Sequence, residues 1–112
     1  MAGESHTRGA QHEFIVAVRP IVVAVELLDR NLADQLRRAA TSAALNAAEG
    51  NQRTGRDRAA RFRIAAAECA EAVAAIRIAI AWGYVADEAA TAALGFADRL
   101  GAILWRLRHP RR

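Results

Sequence analysis

Four stretches of this sequence repeat small or apolar residues at intervals of three and four, a period that few folds can use. The first runs Phe14, Val18, Ile21, Val25, Leu28, Leu32, and the second runs Leu32, Leu36, Ala39, Ala43, Ala47. The third is Phe62, Ala65, Cys69, Val73, Ile76, Ile80, and the fourth is Ala89, Ala93, Phe96, Leu100, Ile103, Leu107. Side chains three and four apart share one face of an α-helix, so each stretch predicts a helix with one stripe to bury. Four stripes joined by short polar connections predict an all-α fold, an antiparallel up-down four-helix bundle. Composition agrees, because 29 of the 112 residues are Ala and only two are Pro. Ala loses the least on entering a helix. Aromatic residues are only 5% and few segments are rich in β-branched residues, which argues against an all-β sandwich.

The punctuation fixes expected boundaries. Residues 1–12 are polar and contain Gly3 and Gly9, which predicts a disordered arm. The bundle is expected over 13–109, with a basic tail at 110–112. Pro20 falls inside the first stripe. The stripe stays in phase across it, which favours a kink over a helix that begins there. Asp29-Arg30-Asn31 is the expected first turn, with Asn31 capping the second helix; one long helix from 13 to 50 is the alternative. Gly50 fits a C-terminal cap, Thr54 or Asp57 an N-cap, Gly83 a left-handed terminator and Asp87 the cap of the fourth helix. Pro110 ends that helix.

Further apolar residues at Val22, Val23, Ile78, Leu94 and Leu104 widen the stripes beyond what one small bundle covers, which predicts self-association. Trp82 and Trp105, near helix ends, suit either core edges or contacts to another chain. No apolar run approaches the roughly 18 residues of a spanning helix, and Met1 to His12 has no apolar signal region. A cytoplasmic protein without a membrane partner is therefore expected. A single Cys excludes an intramolecular disulfide.

The residues offer little chemistry. His6, His12 and His109 lie near the chain ends without metal-ligand spacing. Cys69 sits on the third stripe as a buried, inert thiol. Glu68 and Glu71 lack the Glu-x-x-His partners of a di-metal bundle. The run from Gly50 to Arg56 lacks the Lys-Ser/Thr ending of a phosphate loop. No catalytic residue, metal or cofactor is expected, and the chain is read as a non-enzyme.

Charge is more telling. Sixteen Arg, no Lys and twelve acids leave a net charge of +4, unevenly spread. Residues 30–63 hold eight Arg and three acids, net +5, and residues 106–112 hold four Arg and no acid. Everything else is acidic. Such clusters are the footprint of an anionic partner such as RNA or DNA, although Arg in place of Lys also follows from a GC-rich coding sequence. The candidate nucleic-acid contacts are Arg37, Arg53, Arg56, Arg58, Arg61 and Arg63, assisted by Arg106, Arg108, Arg111 and Arg112. No interleaved aromatic offers base stacking in the 51–56 loop, so sequence-tolerant, salt-dependent binding is expected. The alternative is a protein-interaction scaffold that meets an acidic protein through the same Arg face.

The second helix also carries a polar stripe, Gln35, Arg38, Ser42, Asn46, Glu49 and Arg53. The run Gln35-Leu36-Arg37-Arg38-Ala39-Ala40-Thr41-Ser42, followed by Asn46-Ala47-Ala48-Glu49-Gly50, resembles the signature of the four-helix bundle proteins encoded in 23S rRNA intervening sequences. That grouping includes the accessory variability (Avd-like) proteins of diversity-generating retroelements. Glu71 and Gly83-Tyr84 also fall where the family pattern has them. The family's Ile-Pro is Ala43-Ala44 here, and its Gly-Ser pair in the third helix is Ala67-Glu68. The resemblance implies a bundle assembled into a homo-oligomeric, pentameric ring. For the retroelement relatives it further implies a basic surface that binds nucleic acid and a reverse transcriptase.

Overall fold

The first helix begins well before the stripe that announced it. A computed structural model describes residues 2–110, with side chains from Thr7 onward. In it α1 spans Ala2–Glu26, α2 Arg30–Gln52, α3 Gly55–Ala81 and α4 Asp87–Arg108. The predicted disordered arm is therefore corrected over residues 2–12, which form the first three turns of α1. Thr7 and Ala10 are fully buried and continue the stripe backward from Phe14 at intervals of three and four. Neither is large or apolar enough to reveal itself in a hydropathy pattern. Arg111 and Arg112, and with them most of the expected basic tail, lie outside the described residues.

Pro20 lies within α1, which runs unbroken through it and so excludes a helix starting there. The residue is exposed and faces solvent. Pro20 has no N–H to offer, so the Val16 carbonyl one turn earlier loses its i+4 donor. α1 and α2 are separate helices. The break falls at Leu27-Leu28-Asp29, two residues earlier than expected, and Asp29 rather than Asn31 is the N-cap. Its extended backbone lets Oδ1 accept the Leu32 N–H at 3.0 Å. Leu28 thereby leaves the stripe and is exposed.

The helices pack in a closed ring of neighbours: α1 against α2 and α4, and α3 against α2 and α4. This is the up-down order that links of two to five residues impose. The body measures 45 × 22 × 18 Å. Among the described residues there are no strands, and no helix is long and apolar enough to cross a membrane.

Phe14, Ile21, Val25, Leu36, Phe62, Ile76, Leu100 and Leu104 fill the core, with Ala between them. The third and fourth stripes drift from the expected positions. Ala72, Ala75 and Ala79 are buried where Val73 and Ile80 are only half-buried. Ala90 replaces Ala89, and Ala97 is buried where Phe96 is half-buried. Small residues face inward because the helices approach closely, and the larger neighbours cover the seam from its edges.

α3 ends as Gly83 predicts. Its φ is +79°, its N–H donates to the Ile80 carbonyl, and the Tyr84 N–H reaches back to Ala79. Both bonds satisfy carbonyls that the helix end would otherwise leave unpaired. The Tyr84 hydroxyl then donates to Asp29 Oδ2 at 3.2 Å, joining the two turns at this end of the bundle. Desolvation, the Asp29 charge and that hydrogen bond all raise the phenol's pKa above its ordinary value. Asp29→Ala removes both a cap and this acceptor and should cost about 1–2 kcal/mol in urea unfolding, with Tyr84→Phe costing less.

One other expected cap moves, and one keeps its place without a side-chain bond. Ala86, not Asp87, precedes α4; Asp87 and Glu88 occupy its first turn, where their charges favour the positive helix end. Thr54 precedes α3 without a side-chain cap, while Asp57 sits in the first turn.

Cys69 is buried, and its thiol donates to the Ala97 carbonyl at 3.5 Å. Burial, helped by the Asp98 charge, pushes its pKa up from 9.0 to about 11. The folded thiol therefore stays protonated where an unfolded one ionises. A thiol reagent at pH 8 should modify Cys69 only on unfolding. The thiol's contribution to stability is intact below pH 9 and should fade as pH rises toward 11.

Candidate nucleic-acid interface

The bundle's topology does to charge what the sequence order hides. Up-down packing places the α2–α3 turn, the start of α1 and the end of α4 at one pole. Arg53, Arg56, Arg58, Arg61 and Arg63 therefore share an end with Arg8, Arg106 and Arg108. The acids there with described side chains are Glu49 and Asp57. Two basic runs separated by more than forty residues become one basic pole.

Within it the arginines divide by task. Arg53 pairs with Glu49 at 3.4 Å and with Asp57 at 3.3 Å. Arg61 reaches the same two acids at 3.6 and 3.7 Å and donates to Asn46 Oδ1 at 3.4 Å. These four charges neutralise one another and tie the end of α2 to the start of α3. Arg58 donates to the Gly50 carbonyl at 3.1 Å and lies over the Phe62 ring, 4.7 Å from its centroid. It closes the end of α2 by cation–π contact and hydrogen bond together. Arg56 and Arg63 are exposed and have no ion-pair partner among the described residues, so their guanidinium groups are open to an external anion. Arg106 is exposed likewise, while Arg108 bonds the Leu104 carbonyl.

Arg37 is not brought to this pole. It stands near the start of α2 and binds Asp34 at 2.6 Å, with Arg38 on the same carboxylate at 3.2 Å.

The polar stripe of α2 is mostly a folding device. Asn46 donates to the Ser42 carbonyl at 2.9 Å and to its hydroxyl at 3.2 Å, which orients the amide oxygen toward Arg61. Glu49 anchors both Arg53 and Arg61, whereas Gln35 is exposed. Gly50 does not cap α2, which continues to Gln52 with Arg53 at its C-cap. Gly50 is instead a contact point: a Cβ there would collide with Cε1 of the Phe62 ring. Glu71 is exposed, and Glu68, one turn earlier, raises its pKa by a shared hydrogen bond and by charge.

The sequence reading missed an aromatic at this pole. Trp105 is 55% exposed and stacks on His109, with ring centroids 4.3 Å apart. The two belong to the last turns of α4, far in sequence from the 53–63 cluster. The up-down order itself was the signal that could have joined them.

This architecture and signature agree with the comparison to known families. The family model described as 23S rRNA-intervening sequence protein matches residues 12–106. The chain belongs to that family. No curated protein and no solved structure gave a match. In this 23S rRNA-intervening sequence family member, the later part of the signature, Ser42, Asn46, Glu49 and Gly50, thus builds the joint between α2 and α3. Gly83-Tyr84 encodes the latch at the opposite end.

Proposed function

We propose that this protein is a non-enzymatic homo-oligomer that binds RNA or DNA through its basic pole. The observation that carries the reading is the convergence of the two Arg runs on one end, with Arg56, Arg63 and Arg106 left exposed there. Self-association is supported by apolar side chains that the single chain leaves open. Leu27 is 85% and Trp82 69% exposed, and Val16, Val23, Leu45, Ile64 and Ile78 are exposed on the helices. A pentameric ring, the assembly that the family resemblance implies, would repeat the pole about one axis and raise avidity without new contacts.

Filter binding with a structured RNA tests the nucleic-acid reading. Retention at about 50 mM salt should fall by orders of magnitude by about 200 mM, because binding releases condensed counterions. No retention at low salt sinks it and leaves the scaffold that binds an acidic protein. Light scattering should give a multiple of 12.1 kDa at micromolar concentration; a monomer sinks the oligomer. Co-purification of a reverse transcriptase would place the protein with the retroelement subgroup.

A further inference from the structure

We infer that Trp105 is a stacking platform for an unpaired base, with Arg56 and Arg63 holding the flanking phosphates, so that the pole prefers single-stranded nucleic acid. The inference rests on the nucleic-acid reading above and narrows it.

The Cys69–Ala97 hydrogen bond fixes the antiparallel register of α3 and α4. Each step back along α3 from Cys69 matches a step forward along α4 from Ala97. Trp105 thus lies level with Arg61, two residues or ~3 Å along the axis from Arg63. His109 lies level with Asp57, one residue from Arg56. Helical phase puts them on one side as well. The open groove between α3 and α4 is lined by Ala66 and Ala70 on one wall and by Gly101 and Ala102 on the other. Arg63 precedes Ala66 by three residues and Ala70 by seven, and Arg56 precedes Arg63 by seven. Trp105 follows Gly101 by four and Ala102 by three, and His109 follows Trp105 by four. Toward the basic pole, one wall of the groove therefore becomes Arg and the other aromatic.

Chemistry selects the occupant. Arg56 and Arg63 are exposed and lack ion-pair partners among the described residues, and they stand ~10 Å apart along the helix. They suit successive anionic groups on a flexible strand. An exposed indole beside them gains from a base only if that base's π-face is free. In a duplex the faces are already stacked, so the indole would add nothing there. The stack on His109 fixes the Trp105 ring before any ligand arrives, which lowers the ordering cost of binding.

The two Trp residues sit at opposite poles, so Trp82→Phe leaves Trp105 as the only indole. In that full-length variant an oligouridylate should quench the fluorescence, whereas an RNA duplex of equal length should leave it unchanged. Trp105→Ala should weaken oligouridylate binding roughly ten-fold or more and leave duplex binding within about two-fold, and Trp105→Phe should recover part of the loss. Trp105 is surface-exposed, so these variants should keep the parent's helical circular dichroism. If Trp105→Ala binds both probes like the parent, or loses both equally, the stacking role is wrong. Binding of the duplex alone would overturn this inference and leave the broader reading standing. Binding of neither probe by the unaltered protein would overturn both.

Discussion

Gly50→Ala should destabilise the natural protein and stabilise its Phe62→Ala variant. Phe62 is fully buried, and its ring occupies the space a Cβ at position 50 would need, with three ring atoms within 3.0 Å. Overpacking of this kind costs about 1–3 kcal/mol, more than the gain of at most ~1 kcal/mol from replacing a Gly in the last turn of a helix with Ala. Phe62→Ala alone should cost about 3–5 kcal/mol, because it opens a cavity and also removes the surface on which Arg58 lies. Once the ring is gone, the added methyl enters empty space and only the propensity gain remains. A double-mutant cycle in urea should therefore show the Gly50 effect change sign. An equal cost in both backgrounds would mean that close helix approach is not why Gly stands there.

Reversing Arg56 and Arg63 to Glu should weaken RNA binding roughly fifty-fold near 0.1 M salt and lower the salt slope by about two, one for each lost phosphate contact. The matched control is Arg19→Glu with Arg77→Glu, which changes net charge equally. Both of those residues are exposed and lack ion-pair partners among the described residues, and both lie away from the basic pole. If net charge alone governed binding, the two pairs would weaken it alike; a localised interface predicts little effect from the control. Reversing Arg53 or Arg61 should act differently. It breaks the pairs with Glu49 and Asp57 and so loosens the α2–α3 joint, although exposed pairs are each worth only about 0–1 kcal/mol.

The four helices were legible because Phe14, Leu36, Phe62 and Leu100 stand out from polar neighbours at helical spacing. The start of α1 was not, because Thr7 and Ala10 are too small or too polar to register as core until a partner helix covers them. The caps shifted for a related reason. Asp, Asn and Thr compete within one or two residues, and the residue that wins is the one whose neighbour can continue the stripe. Asp29 wins because Leu32 and Leu36 must both face inward. The site was half legible. The Arg clusters showed in the sequence, but their division into paired and open side chains depends on Glu49 and Asp57 meeting across a two-residue link. Trp105 joins them only through a register that no local pattern contains.

Thirteen of the twenty-five buried apolar residues among those described are Ala. Most protein interiors suffer chiefly from truncation, but here half the interior has almost nothing to truncate. Its vulnerability runs the other way. An Ala→Val change needs a single base substitution and would push helices apart at positions such as Ala43, Ala65 or Ala93, all of them sealed from solvent. Mutational tolerance in this protein should thus be lopsided, with enlargement purged more strictly than loss of volume.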